Sequence, residues 1–372
     1  MRLVYFTHSL ASCWNHGNAH FLRGVLRELQ EAGHDVLAVE PADPWSLRNL
    51  LRDHGDAGLD AYRTAYPELR SRTVHDAAAI EAAVDGADAV VVHEWNEPEL
   101  VAALGRLRTR AGARFALLFH DTHHRAVSDP EAIRRFDLDG YDGVLAFGEA
   151  LAQVYRRWGW GERVRVWHEA ADTRLFRPPE YEGRREGLVW IGNWGDGERG
   201  AELEEFLLRP ARAAGLPLDI HGVRYPDHAL GALDAFGARY RGWLPNACAP
   251  EAFARHLATV HVPRRFYVDA LPGIPTIRVF EALACGIPLL SAPWRDAEGL
   301  FRPGEDYLVA ADGAAMARHL AAVRGDAALR RSLAANGLAA IRARHSCARR
   351  AAELLGILGG LGAGTEKETV AG

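Results

Sequence analysis

Lysine is nearly missing from this 372-residue chain: 43 of its 44 basic residues are arginine, and the lone lysine is Lys367. Over the rest of the chain this excludes a lysine Schiff base, a lysine general base and a lysine–phosphate contact. Cysteine is scarce as well. Cys13, Cys248, Cys285 and Cys347 lie far apart without a C-x-x-C pair, which speaks against a disulfide framework or a zinc ribbon. No run of about 18 apolar residues occurs, so no membrane-spanning helix is expected. Met1-Arg2 leads straight into Leu-Val-Tyr-Phe with neither a signal h-region nor a cleavage site, the pattern of a cytoplasmic protein. An excess of positive charge is also missing: 49 acidic residues leave a net charge of -5, unlike a protein held by nucleic-acid backbone. The arginines near the end (Arg330, Arg331, Arg342, Arg344, Arg349, Arg350) read as a solvated helical face, with membrane contact peripheral at most.

What is present is ordinary globular material, 48% hydrophobic and 25% charged, at a length that favours two domains with a core each. Short apolar runs alternate with helical periodicity. Strands are expected at 3–6, 34–39, 87–92, 115–119, 143–147 and 163–167, with helices at 19–32, 98–109 and 149–158. A Pro-, Gly- and charge-rich stretch near 176–187 breaks the pattern, which then restarts with strands at 188–191, 217–221, 259–262, 288–291 and 307–309. Helices are expected at 201–214 and 276–285, and 313–361 is helical throughout. The fold class is α/β: two Rossmann-like doubly wound domains facing across a cleft, with a helical C-terminus. The expected divisions are 1–178, an acceptor-side domain; 179–345, a donor-side domain; 346–362, a helix free to return to the first domain; and 363–372, a flexible tail.

In such sheets ligands bind beyond the carboxyl ends of the strands, so the loops there hold the candidates. After the first strand comes Asn15-His16-Gly17-Asn18, which is either a close-approach turn for a phosphate or a plain helix entry with Asn18 as N-cap. The G-x-G-x-x-G pattern is absent, which removes the case for NAD. His93-Glu94 and His120-Asp121-Thr122-His123-His124 follow two more strands. Their spacings match no zinc motif, and His120 is the one placed to hydrogen-bond into the cleft. Asp137-Leu138-Asp139 reads as a helix-to-strand loop rather than a metal-binding D-x-D. In the second half, the loop from Gly192 and Asn193 to Arg199 and Gly200 has the glycines and the arginine of an anion site. Arg264 follows a later strand. Gly273-Ile274-Pro275-Thr276 feeds a helix on which Arg278 and Glu281 share a face, either as part of a diphosphate site or as a weak surface pair.

Phe280-Glu281-Ala282-Leu283-Ala284-Cys285-Gly286-Ile287-Pro288 resembles the donor-binding helix of retaining GT-B glycosyltransferases of the group 1 type. Leu300-Phe301-Arg302-Pro303-Gly304-Glu305-Asp306-Tyr307 is similar to the spore-maturation-protein-like branch. Asp172-Thr173-Arg174-Leu175-Phe176-Arg177-Pro178 resembles the family's interdomain segment, Glu198-Arg199-Gly200 its usual Lys-Gly, and His120-Asp121 its His-Asp.

The resemblance implies an enzyme that moves a sugar from a nucleotide-diphosphate donor, a UDP-sugar as first guess, to a small-molecule, glycan or lipid acceptor. Retention, no metal and no further cofactor go with it. The implied catalytic residues are His120 at the donor sugar, Arg199 on the leaving diphosphate and Glu281 on the ribose. The implied donor site comprises Gly17, Gly192, Asn193, Arg199, Arg264, Gly273, Ile274, Pro275, Thr276, Arg278 and Glu281. Asn15, His16 and Glu94 are the acceptor-side candidates. Two positions depart from the family pattern, Gly273 where a first glutamate is common and Asn193 where arginine is, and Arg278 or Arg264 can supply the missing positive charge. An epimerase or hydrolase on the same scaffold, or a nucleotide-sugar-binding subunit without catalysis, is the alternative.

Overall fold

Two all-parallel sheets, one in each half of the chain, organise the molecule. The computed structural model describes residues 1–110, 112–195 and 197–370, with side chains through Leu361; of the expected tail at 363–372, the backbone of 363–370 continues the last helix and 371–372 lie outside the described residues.

The first sheet contains β1 (Arg2–Phe6), β2 (Asp35–Pro41), β3 (Ser71–Val74), β4 (Ala89–His93), β5 (Ala116–Asp121), β6 (Gly143–Ala146) and β7 (Val164–Val166), in the order β3-β2-β1-β4-β5-β6-β7. The second contains β8 (Leu188–Ile191), β9 (Leu218–His221), β10 (Arg239–Gly242), β11 (Ala258–His261), β12 (Leu289–Ser291) and β13 (Leu308–Val309), ordered β10-β9-β8-β11-β12-β13. Helices cover both faces of each sheet. That is why runs such as Leu3-Val4-Tyr5-Phe6 and Val90-Val91-Val92 are apolar at every position and fully buried. Each sheet reverses its winding direction once, between β1 and β4 and between β8 and β11, and those reversals open the crevices where α/β sheets bind ligands.

Two differences from the sequence reading bear on the site. The 40–86 stretch, without a clear pattern in sequence, folds into helices Trp45–His54, Asp60–Ala65 and Ala77–Val84 around the edge strand β3. Strand β5 also runs further than the apolar stretch 115–119. His120 pairs with His93 and Leu145, and Asp121 with Ala146, so both polar residues belong to the strand rather than to the loop after it. Burial under neighbouring strands, not hydrophobicity, keeps them in register.

The helix Cys347–Val370 leaves the second domain and lies against helix Ala19–Glu31 of the first. Contact is close because Gly24 has no side chain: a Cβ there would sit 2.6 Å from Cys347 Sγ and 2.7 Å from Asp172 Cβ. Trp167 Nε1 donates to Arg350 O at 2.9 Å, and Leu354 and Leu358 join Phe21, Leu22, Leu26 and Trp167 in one buried cluster. That cluster also takes in Ile277, Phe280 and Leu289, so a continuous apolar core runs from one domain to the other.

Truncating Leu354, only 1% exposed, to alanine removes packing from this junction. Urea unfolding is expected to report a loss of about 2–5 kcal/mol; a change below about 0.5 kcal/mol, the range of ordinary surface substitutions, would mean that the last helix is not docked as described.

Candidate functional site

The carboxyl ends of the two sheets face each other, and most of the expected residues stand there. On the first domain the turn after β1 carries Asn15, His16 and Gly17. Asn15 is held at φ 50°, a left-handed conformation that asparagine tolerates better than most residues. Its Oδ1 accepts a hydrogen bond from Asn193 Nδ2, the first residue pair to bridge the cleft. Gly17 lies so close to the second domain that a Cβ would stand 3.3 Å from Ile277 Cγ2. Asn18 precedes the helix but does not cap it through its side chain, which donates to Thr122 Oγ1 at 3.0 Å instead.

His16, His93 and His120 form a chain of edge-on imidazoles, 6.3 Å and then 5.5 Å between ring centres. Burial pulls His120 down to about 3; it pulls His16 to about 3 as well, helped by the nearby His8 and Arg23. These rings are therefore neutral at physiological pH and act as hydrogen-bond partners, not as cations. Nδ1 of His120 is taken by the Tyr5 hydroxyl, while its Nε2 has no partner within the protein. Glu94 is wholly buried. Thr122 Oγ1 donates to it at 3.3 Å, and Arg125 bonds both its carboxylate and its backbone carbonyl, so Glu94 meets the cleft only through Thr122. His123 and His124, given no role from sequence, border the same space: His123 lies edge-on to Trp95, and His124 stacks on Phe266 with its Nε2 3.6 Å from Glu198 across the cleft. Asp137 and Asp139 lie away from these strand ends in the loop before β6, where Asp139 N donates to Asp137 Oδ1 at 3.0 Å.

On the second domain, Arg199 is the buried centre. It is 8% exposed, donates to Val262 O at 2.9 Å and to the backbone and side chain of Asn193 at 2.9 and 3.1 Å, and keeps a buried Nε without a partner. Burial, with the neighbouring Arg264 charge and then that of Arg278, pulls its guanidinium down to about 10. Arg264 pairs with Glu198, whose carboxyl is held at about 2: burial opposes ionisation there, and His124 and Arg264 outweigh it. Gly192 is fixed through its carbonyl, which accepts from Tyr225 Oη at 2.9 Å. The turn Gly273-Ile274-Pro275-Thr276 has Gly273 at φ 96°, and Ile274 buried against Gly148 of the first domain. Thr276 makes no side-chain cap for helix Ile277–Ala284, and of its first N–H groups that of Val279 donates to Thr276 O at 3.0 Å.

Glu281 differs most from its sequence reading. The weak surface pair with Arg278 proves to be a pair in which the carboxylate is fully buried. Its other oxygen lies 2.8 Å from Nδ1 of His20, which belongs to the first domain and is itself fully buried over Phe176. Burial alone would raise the Glu281 pKa, but Arg278 and His20 together hold it below the usual value. Sequence reasoning passed over two buried polar residues, His20 and Glu169. His20 hides in a helix whose apolar face is the obvious signal. Glu169 follows His168 and precedes Ala170 and Ala171 just after β7, a run in which nothing local marks it as buried. Among the described residues, no group of three His, Cys, Asp or Glu side chains is arranged to hold a metal ion, and no helix is long and apolar enough to cross a membrane.

Twin Rossmann-like domains with a basic, polar cleft between their strand ends define the GT-B class. Comparison with known proteins agrees. Residues 17–175 match the family model described as Glycosyltransferase Family 4, and residues 199–356 match that described as Glycosyl transferase-like. Among solved structures the chain is similar to Anabaena HepE in complex with UDP and glucose (14% identity, 97% of this chain and 100% of that one, TM-score 0.66). It is also similar to sucrose-phosphate synthase from Thermosynechococcus elongatus (16% identity, 98% and 100%, TM-score 0.67). A third is an alpha-glucosyltransferase in complex with UDP and a 13-mer DNA (13% identity, 96% and 99%, TM-score 0.69). No curated protein matches the sequence. The chain belongs to the GT-B glycosyltransferases of group 1, and it is a glycosyltransferase enzyme.

The neutral histidines make a prediction about stability. An unfolded histidine takes up a proton near pH 6.5, whereas folded His16 and His120 do so only near 3. The unfolded state then binds more protons between those values, so stability falls as pH drops through that window. Thermal melts are expected to show Tm declining from pH 6.5 towards 4, with a shallower decline for His120→Asn. Parallel slopes for the two proteins would contradict the buried neutral state.

Proposed function

We propose that the cleft binds a nucleoside-diphosphate sugar, with a UDP-sugar as first candidate, and transfers the sugar with retention at its anomeric carbon. The reaction needs no metal ion, and the acceptor is a small molecule, a glycan or a lipid rather than a nucleic acid. The observation that carries this reading is the convergence of Arg199, Arg264 and Arg278 at the facing strand ends, with Arg199 buried and one of its N–H groups unpartnered. Arg264 and Arg278 are paired with Glu198 and Glu281, so the positive charge left to meet a diphosphate is that of Arg199. The UDP bound in the solved relatives supports the choice of nucleotide.

In this reading the diphosphate lies at the start of helix Ile277–Ala284, against the N–H groups after Thr276 that no side chain caps and the approach that Gly17 leaves open. Glu281 takes the ribose hydroxyls once His20 moves aside. The bond between the anomeric carbon and the phosphate oxygen breaks, and the negative charge that grows on the diphosphate is met by the Arg199 guanidinium, whose Nε–H has no partner within the protein. Stabilising charge as it develops is the main catalytic contribution. The acceptor oxygen bonds to the anomeric carbon on the same face, and its proton passes to the departing phosphate oxygen. His120 stays neutral and offers Nε2 to the donor sugar. Asn15, His16 and, through Thr122, Glu94 border the acceptor side. Four free cysteines, Cys13, Cys248, Cys285 and Cys347, accord with a reducing cytoplasmic setting.

Calorimetric titration with UDP, GDP, ADP and TDP, followed by turnover on the matching nucleotide sugars, tests the assignment. One nucleotide is expected to bind clearly tighter than the others; binding of none would remove the reading. Arg199→Ala is expected to lower kcat by roughly 10²–10³-fold, with partial recovery in Arg199→Lys. Equal rates in the alanine variant and the wild type would take the diphosphate contact away from Arg199.

A further inference from the structure

The strap between the last strand of the first sheet and the first strand of the second carries one carboxyl without a use so far. Glu169 is 3% exposed, and its Oε1 has no hydrogen-bond partner within the protein. The backbone around it is firmly tied. Trp167 Nε1 donates to Arg350 O at 2.9 Å, His168 Nε2 lies 2.8 Å from Glu298 Oε2, and Ala171 N donates to His345 O at 3.0 Å. Local slack therefore does not explain why the side chain points inward. It lies close enough to Glu281, Arg278 and Tyr267 for their charges to be felt between them. Burial, reinforced by the nearby Glu281 carboxylate and only partly offset by Arg278, raises the Glu169 carboxyl well above the usual carboxylate range and so favours its protonated form. A buried polar atom without a partner weakens the fold, and a leucine in its place would cost less. A neutral carboxyl offers one donor and one acceptor side by side, the complement of a sugar hydroxyl, which both donates and accepts.

We propose that Glu169 is a substrate-binding residue whose carboxyl group hydrogen-bonds a hydroxyl of the sugar-nucleotide. This rests on the reading of the cleft as a donor site and adds to it a contact from the interdomain strap. Vicinal hydroxyls occur on both the ribose and the transferred sugar, so the experiment uses UDP and UDP-glucose as separate probes. Glu169→Gln keeps the shape and both hydrogen-bonding functions; Glu169→Leu and Glu169→Ala remove them.

Calorimetry is expected to show the Gln variant within about twofold of wild type for both probes, and the apolar variants weaker by about three- to tenfold, the worth of one hydrogen bond. Loss for UDP-glucose alone assigns the contact to the transferred sugar, and equal loss for both probes assigns it to the ribose. A second measurement does not depend on how the apolar variants fold. The infrared carbonyl band of a protonated carboxyl, present in wild type and missing from Glu169→Gln, is expected to shift on addition of whichever probe makes the contact. Folded apolar variants with unchanged affinities, or a band that neither probe moves, overturn the proposal and leave the donor site standing. Wild-type protein that binds neither probe overturns the UDP-sugar reading and the proposal with it.

Discussion

The structure turns on one buried negative charge. Glu281 has no exposed surface, and an uncompensated carboxylate in that position would cost several kcal/mol. Two groups compensate it. Arg278 comes from the same helix, three residues back, while His20 comes from the first helix of the opposite domain and reaches Oε1 at 2.8 Å. Removing one partner of such a buried set typically costs about 3–5 kcal/mol, because the remaining charge is left unpaired. The contact therefore brings the helix that begins at Ile277 against the first helix of the opposite domain.

Other cleft contacts repeat the theme with weaker partners. Asn15 meets Asn193, His124 approaches Glu198, and His168 on the strap meets Glu298, so imidazole or amide faces carboxylate or amide at each crossing. None of these is an apolar seal. Polar contacts of this kind exchange readily for water or for ligand hydroxyls, as a cleft that admits and releases a large polar substrate requires. The permanent junction lies elsewhere, in the apolar cluster where helix Cys347–Val370 and Trp167 lock onto helix Ala19–Glu31. Rigid attachment on one side and exchangeable polar contacts on the other together describe a hinge.

Much of this was legible in the sequence, and the parts that were not share a cause. The twin alternation of apolar runs and amphipathic helices marked both sheets, because parallel strands buried on two faces need apolar residues at every position. Glycines and arginines after those strands marked the loops that stand at the facing strand ends. Edge strands β3 and β10 were missed: Ser71-Arg72-Thr73-Val74 and Arg239-Tyr240-Arg241-Gly242 are largely exposed and carry no apolar pattern. The burial of Glu281 was unreadable because it depends on His20, 261 positions away in sequence and on another domain. Glu169 was passed over for a related reason, since its burial depends on what folds around it and not on its neighbours in sequence. Local pattern reports local structure, and the cleft is made of contacts between distant elements.

The central claim is that the two strand-end faces close on one nucleoside diphosphate around Arg199 and Glu281. Hydrogen exchange read by mass spectrometry, with and without saturating UDP, tests it most directly. The account predicts added protection in the backbone at 15–20, 192–200 and 273–281, on both sides of the cleft at once, with little change in the last helix. Protection confined to one domain, or centred away from these three segments, would contradict it.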